Sequence, residues 1–581
     1  MEKKICKKVE LEKASDFIIS ELIRNDINIS WVFQGGAISH LIDSAYQRQL
    51  EKGDFSCRTI QHEQAAGFAA DSYSRTSKKM PAVMVTSGPG ATNLITSISC
   101  NWYDSVPVIY FAGQVRTWEL SQSKQRQKGF QETNIVSIVK DIVKYSVEVS
   151  QIDQLKYELQ KAIWYANEGR KGPVLISLPM NLQWEFINSS AMKAFVPPKE
   201  KDKENLFRKE FEKVVNLLGD CKKFTCLIGA GLDKKKDIET LKKWSLDAHF
   251  PMLTTYGGKQ YLECEFENNM GLIGAMGTNH GNKIISGTEV LLVLGCRLSW
   301  RHIRSKPETF ARGSQVIHVD IDENELGANI ESSININMDC STFLNRLTKE
   351  LKGVDQNYSE FLKDCNDEKK KYFYLEPVEM NSDVIHPHQV IDRLSAKAPE
   401  NTTFVLDCGS NLVWSIQGLK STGKRLIFSS WGHSPMGYSV CAGIGAYEAN
   451  KNLPLVTIIG DGGLHMNIHE FKTIVDYNYP IKILVLNNEA YGAIKDFQIG
   501  NLEKRFFATE RTNFGVEFDY SPPDYMAIAE SYGLDAMSVQ DKNNISKGID
   551  WLISNTGPCL LNVFVDNSVK MTVSDKEYES A

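Results

Sequence analysis

No apolar run in the chain approaches the roughly 20 residues a membrane-spanning helix needs, so no membrane association is expected. The opening residues, MEKKICKKVELEKASDF, are charged. They lack the apolar stretch that a secretory signal carries. An excess of positive charge is missing too: net charge is −6 and the pI is near 6.1. That argues against nucleic acid or an anionic membrane as the main partner. The twelve cysteines are scattered, and the closest pair, Cys221 and Cys226, lacks metal-site spacing. Reduced thiols in a cytoplasmic protein are the simplest reading. There is no adjacent His-His pair, fine-period repeat or low-complexity tract. His62-Glu63 begins like a zinc-protease helix, but the second histidine of that motif would fall at residue 66, which is Ala66.

What remains is a long, soluble-looking chain of 581 residues, 42% apolar. That length suggests about three or four domains. Short apolar strands run into glycine turns and then into helical patterns, again and again. Ser30-Trp-Val-Phe33 meets Gln34-Gly35-Gly36; Pro81–Val85 meets TSGPGATN; Val106–Phe111 meets Ala112-Gly113-Gln114. The alternation predicts α/β architecture, with three doubly wound parallel-sheet domains over 1–190, 206–350 and 387–568. Residues 191–205, with two prolines and a charge run, read as a linker. So do the polar residues 354–386. In the middle domain, Gly229-Ala-Gly231 is only a weak dinucleotide signal, because the third fingerprint glycine is missing.

The most informative stretch is Gly460 to Asn488. An apolar strand, Pro454–Ile459, ends in Gly460-Asp461-Gly462-Gly463, and a helix is expected over 467–477. A second strand, Ile481–Leu486, ends in Asn487-Asn488. A carboxylate and a carboxamide then share the carboxyl edge of a parallel sheet, where ligands bind. Both offer oxygen, which suits Mg²⁺, an ion that completes its shell with substrate phosphates and water. Glycine-loop and helix-start N–H groups suit the same phosphates. The alternative is a strand-turn-helix whose glycines merely permit the turn.

Taken with HEQAAGFAADSYSR, TSGPGATNL, DSVPVIYFAGQ, GFQETNIV and GPVLISLP in the first domain, and DCGSNLVW, HSPMGYSVCAGIGA, GDGGLHMN and LNNEAYG in the last, the chain resembles the acetolactate synthase-like family of thiamine diphosphate (ThDP) enzymes. The resemblance runs over nearly the full length, in the family's order. It implies a pyrimidine-binding, a central nucleotide-binding-like and a diphosphate-binding domain. Glu63 resembles the glutamate that bonds N1′ of the aminopyrimidine and so promotes the tautomer that deprotonates thiazolium C2. Asp461 and Asn488 resemble the Mg²⁺ ligands, with the Ala490 carbonyl as a third. Ser434-Pro-Met436 resembles the segment that holds the cofactor bent, the Ser434 carbonyl accepting from N4′ and Met436 propping the rings. Ser410 and Asn411 stand where the family's Gln-His reaches the diphosphate, and hydroxyl and amide can still bond phosphate. Gly36, Gly460, Gly462, Gly463, Tyr491 and Gly492 fall in cofactor-contacting motifs. Gln131 matches the glutamine near the reacting carbons, and Gln114 ends a strand facing the same region.

The chain also departs from the family. Its flavin-proximal segment reads Gly295-Cys-Arg297-Leu-Ser299-Trp300-Arg301, with both family aspartates gone, while Gly271–Thr278 keeps the glycine pattern. Bound FAD is left open. Phe497 replaces the family's acceptor-sorting Trp, and Met180 stands where a charged residue is usual. The resemblance implies a carboligase that decarboxylates pyruvate and transfers the two-carbon unit to a second carbonyl, with a keto sugar acceptor or simple 2-oxo acid decarboxylation as alternatives. It implies a 2-oxo acid substrate and a homodimer or homotetramer, and leaves a small regulatory subunit open.

Overall fold

The computed structural model describes residues 11–121, 125–199, 207–303, 307–371, 384–503, 505–511 and 520–571. The charged start, the end of the first linker and the last ten residues lie outside that description.

The first sheet holds β1 (Ile29–Val32), β2 (Ser56–Thr59), β3 (Ala82–Val85), β4 (Ile109–Gln114), β5 (Tyr145–Glu148) and β6 (Val174–Pro179). The second holds β7 (Phe224–Ile228), β8 (Met252–Thr254), β9 (Asn269–Leu272), β10 (Val290–Leu294), β11 (Gln315–Asp320) and β12 (Ile334–Asn337). The third holds β13 (Thr403–Leu406), β14 (Leu426–Phe428), β15 (Leu455–Gly460), β16 (Lys482–Asn487), β17 (Asp535–Val539) and β18 (Cys559–Phe564). All three sheets are parallel throughout. The strand orders are β2-β1-β3-β4-β6-β5, β9-β8-β7-β10-β11-β12 and β14-β13-β15-β16-β18-β17. The central strands are apolar runs, such as AVMV in β3 and KILVLN in β16, buried at every residue. A parallel sheet covered by helices on both faces requires that.

Five helices bear on the site, α1 (Glu63–Ser77), α3 (Ser410–Gly418), α4 (Tyr438–Ala449), α5 (Asp461–Met466) and α6 (Gly492–Asn501), and α2 (Ser359–Lys371) packs on the second domain. Helix α2 starts the stretch read from its polarity as a linker. Phe361 and Cys365, one turn apart, bury against Leu227, Leu253 and Ile284 of the second domain. Two apolar side chains at helical spacing were enough, and the charged remainder hid them.

Helices α1 and α4 join the first domain to the third. Both are rich in small residues, which lets backbones come close. A Cβ on Gly445 would sit 1.8 Å from the Ala69 carbonyl oxygen, and Ser72 Oγ donates to the Ala442 carbonyl. Ala69 meets Gly445 and Ser72 meets Ala442, so the helices run antiparallel. Their residues belong to one apolar core that continues into β3 on one side and β15 and β16 on the other. The eleven cysteines among the described residues are free thiols, and no helix there is long and apolar enough to cross a membrane.

Candidate active site

The carboxyl edge of the third sheet gathers the diphosphate motif. Strand β15 delivers Asp461 as the first residue of α5, six residues before the helix expected over 467–477, which is present as a short 3₁₀ turn and helix over Ile468–Asp476. Gly462 has no room for a side chain, since a Cβ there would come 2.2 Å from the Tyr491 ring. Asp461 is 1% exposed, and burial pushes its carboxyl up to about 6. It is held by Tyr520, whose hydroxyl donates to Oδ2 at 2.7 Å, and by Tyr525, which donates to its carbonyl.

Asn488, beyond β16, faces this carboxylate. One terminal atom of its amide lies 2.9 Å from the Ala490 carbonyl oxygen and 3.1 Å from Asp461 Oδ1. With the nitrogen there, it donates to both. With the oxygen there, it lies from each of the other two oxygens at about the spacing of neighbouring ligands around Mg²⁺, about 2.9 Å for Mg–O bonds of about 2.05 Å. The donor set fits Mg²⁺ by its chemistry, and the two distances from Asn488 agree with that fit. Around it, Gly492 at the start of α6 packs on Ser410 at the start of α3: a Cβ on Gly492 would lie 2.9 Å from Ser410 Oγ. The Asn411 amide nitrogen bonds the Cys408 carbonyl, and its Oδ1 is buried with no partner. A Cβ on Gly460 would lie 3.2 Å from Asn411 Nδ2, and one on Gly463 2.7 Å from Asp407 Oδ1.

Asp407 is a site residue the sequence analysis did not single out. Fully buried, it accepts from the Gly437 N–H at 3.0 Å and the Ser439 N–H at 2.7 Å. Burial raises its carboxyl to about 6. It thereby fixes the chain just after Ser434-Pro-Met436, where Ser434 has φ 53° and Gly437 φ 82°. Ser434 Oγ is buried without a partner. Its signal was available: an acid directly after an apolar strand, as with Asp461.

The carboxyl edge of the first sheet gathers the pyrimidine motif. Glu63 opens α1, 5% exposed, and Oε2 accepts from Asn93 Nδ2 at 2.9 Å. A Cβ on Gly90 would lie 3.2 Å from Glu63 Oε1 and 2.8 Å from Thr86 Cγ2, so the TSGPG turn presses against the acid. Gly36 is open, with nothing near its Cβ position. Gln131 takes a left-handed φ of 61° and packs against Gly88. Gln114 turns inward: Nε2 donates to Thr133 O at 2.9 Å and Glu148 at 3.2 Å, and Oε1 accepts from Val115 N–H. Both polar side-chain atoms of Gln114 are engaged, with Val115, Thr133 and Glu148.

The glycines of the flavin-like pattern have an internal explanation. A Cβ on Gly274 would lie 2.3 Å from the Arg301 carbonyl, and Asn282 binds both the N–H and the carbonyl of Gly274.

Three domain families match along the chain. Residues 12–138, 211–347 and 407–563 match the N-terminal TPP binding, central and C-terminal TPP binding domains of thiamine pyrophosphate enzymes. The acetolactate synthase large subunit of Cyanidium caldarium is 30% identical over 573 residues, 97% of this chain and 95% of that protein. The probable acetolactate synthase large subunit of Methanococcus aeolicus is 29% identical over 580 residues, 96% and 93% of the two chains. The isozyme 2 large subunit of Escherichia coli K12 is 27% identical, covering 95% of each. The chain is a thiamine diphosphate enzyme and belongs to the acetolactate synthase large-subunit family.

Proposed function

We propose that the protein is a ThDP- and Mg²⁺-dependent carboligase that decarboxylates pyruvate and joins the two-carbon unit to a second carbonyl, giving 2-acetolactate when that carbonyl is pyruvate. The carrying observation is the three-oxygen set of Asp461, Asn488 and Ala490, beside the starts of α3 and α6. Asp461, the Asn488 amide oxygen and the Ala490 carbonyl would hold Mg²⁺, and Ser410, Asn411 and the N–H groups of Gly492 and its neighbours would take the diphosphate. When bound, ThDP supplies the electron sink for decarboxylation. Glu63, kept in place by Asn93 and the TSGPG turn, would share a proton with the pyrimidine N1′. Ser434 and Met436, fixed by Asp407, would hold the cofactor bent. Gln131 would face the reacting carbons, with Gln114 supporting its segment from behind.

The active unit in this reading is a homodimer or a pair of them. In one chain, Glu63 begins α1, while Ser434 follows Trp431-Gly432, whose N–H groups bond Asp104, the partner of Arg75 near the other end of that helix. About 12 residues at 1.5 Å each separate those ends by roughly 18 Å. One small cofactor does not span that length, so each Glu63 would serve the Ser434 and Asp461 of a second copy. Two equivalent sites then arise from one two-fold contact. Phe130, 85% exposed, and Phe497, 56% exposed, flank the two halves and would be covered by such pairing. FAD rests on the resemblance alone; the packing around Gly274 neither requires nor excludes it. A small companion subunit enters only through the relatives' description as large subunits, and copurification from the native host tests it.

The test is incubation of purified protein with ThDP, Mg²⁺ and labelled pyruvate, with products identified by mass spectrometry. Acetolactate is expected. Acetaldehyde alone would mean decarboxylation without ligation, and product only after adding a sugar would mean another acceptor.

A further inference from the structure

The far end of α1 carries a polar cluster that the reaction as described leaves unused. Asp71 is fully buried and Asp104 nearly so, their side chains 0% and 5% exposed, with Arg75 between them at 14%. Arg75 binds Asp71 through Nε at 2.7 Å and Nη2 at 3.1 Å, and Asp104 through Nη2 at 2.8 Å. Asn101 Nδ2 donates to Asp71 at 2.8 Å, and the Tyr438 hydroxyl donates to Asp71 Oδ2. Asp104 then reaches across the domain boundary. Its Oδ2 accepts from the Trp431 N–H at 2.7 Å and its Oδ1 from the Gly432 N–H at 2.8 Å. A Cβ on Gly432 would come 2.6 Å from Tyr103 and 2.9 Å from Asp104, so these two segments of one chain are in close contact there.

Trp431-Gly432 and Tyr438 bracket Ser434-Pro-Met436. The first domain therefore grips the cofactor-bending segment on both sides, while Asp407 of the third domain grips it from within. Buried charges are costly unless paired and fully bonded. Domain contact alone needs none, because the small-residue faces of α1 and α4 already bury apolar surface. A buried Asp whose two oxygens each take one backbone N–H fixes direction as well as proximity.

We propose that Asp104, braced by Arg75, Asp71 and Tyr438, is a positioning residue for the Ser434–Met436 segment, and that it serves the active site opposite to the one served by Glu63 of the same chain. The second clause rests on the two-chain site proposed above. It follows from α1 itself: Glu63 is at one end, Asp104 and Ser434 at the other. Each α1 would be a shared beam, activating the cofactor of one site and shaping the seat of the other.

The experiment uses mixed dimers isolated by two different affinity tags. Asp104→Asn homodimers should bind ThDP at least about tenfold more weakly, with pyruvate KM at saturating ThDP unchanged. Pairing a Glu63→Gln chain with an Asp104→Asn chain leaves one fully intact site, so about half of wild-type activity should return. Pairing a Glu63→Gln/Asp104→Asn chain with a wild-type chain damages both sites, so at ThDP held near the wild-type dissociation constant activity should fall to about a tenth of wild type or less. If both residues serve the same site, those two results exchange places and the proposal falls. It also falls if Asp104→Asn lowers the melting temperature but leaves ThDP affinity and kcat untouched, which is a purely structural role. Tyr438→Phe, which removes one hydroxyl and keeps the ring, carries the same readouts if Asp104→Asn does not fold. A Glu63→Gln and Asp461→Ala pair is run alongside. If that pair recovers no activity, the two-chain site is wrong and both readings fail. If it recovers while the Asp104 pair does not, only this inference fails.

Discussion

The first and third domains have the same strand order, the second strand flanking the first and the last two exchanged, and both present functional residues at the carboxyl edge. Their chemistry is opposite. At the first edge the Glu63 carboxylate meets a neutral amide, Asn93, beside the TSGPG turn. At the third edge a carboxylate, an amide and a carbonyl crowd together, with two helix starts beside them. The first suits proton exchange with an uncharged ring, and the second suits a cation holding phosphates. One topology, used twice, fixes where a ligand can sit; the side chains at the edge decide which half of it.

The strongest test of that contrast is Glu63→Gln. If the first edge handles protons only, turnover should fall by about 10²–10⁴-fold, while Mg²⁺-dependent ThDP affinity by calorimetry stays near wild type. Hydrogen–deuterium exchange at the thiazolium C2 reads the step directly. Exchange at the wild-type rate would remove the role assigned to Glu63.

Asp461→Ala should produce the complementary pattern. Its carboxylate is the only one in the three-oxygen set. Removing one partner of a buried charge pair costs roughly 2–5 kcal/mol. ThDP affinity should drop accordingly, with the fold retained by circular dichroism. Unchanged affinity would mean the metal sits elsewhere, and the contrast between the edges would collapse.

The two edges were legible for different reasons. Asp461 follows the apolar strand β15 with no residue between, whereas Glu63, three residues after the polar edge strand β2, was marked only by the HEQAAGFAADSYSR resemblance. What stayed hidden depends on contacts made across long sequence distances. Asn93 reaches Glu63 from another turn, Tyr520 reaches Asp461 from beyond β16, and Asp104 reaches Trp431 from another domain. No local pattern marks those partners. Helix α2 was hidden differently, by averaging: its lysines and acids outweigh the two side chains that dock it. The inward turn of Gln114 was invisible because a glutamine at a strand end has equal reason to face solvent, ligand or backbone.

A smaller effect separates acceptors. Phe497 lies exposed on α6, beside the diphosphate edge. Phe497→Trp should narrow acceptor choice toward the larger 2-oxo acid, in competition assays with pyruvate and 2-oxobutyrate. The difference made by one methylene in such a pocket is about 1–3 kcal/mol. A product ratio that does not move would place the acceptor away from α6.

The smallest effect tests how the two edges are tied within one chain. Glu470 of the third domain is fully buried and accepts from the Gln61 N–H at 3.1 Å, two residues before Glu63, and from Thr473 Oγ1 at 2.7 Å. Burial pushes its carboxyl up to about 7 from an ordinary 4.5, against the pull of those hydrogen bonds. The groups facing it do not offset this: His469, 3.6 Å away, is itself pushed down by burial, and the His62 ring packs on His469 at 5.8 Å. Between pH 4.5 and 7 the folded chain therefore holds a proton there that the unfolded chain has released. The stability this contributes is full below the unfolded value and is lost as pH rises through about 7. Glu470→Gln keeps an acceptor for the Gln61 N–H but cannot ionise, so it escapes the loss. The melting temperature of the variant relative to wild type should rise by a few degrees from pH 5 to pH 8. A difference that stays flat across that range would mean the ionised carboxylate is fully compensated by the first domain's N–H groups. The tie at the Glu63 end would then be as firm charged as neutral.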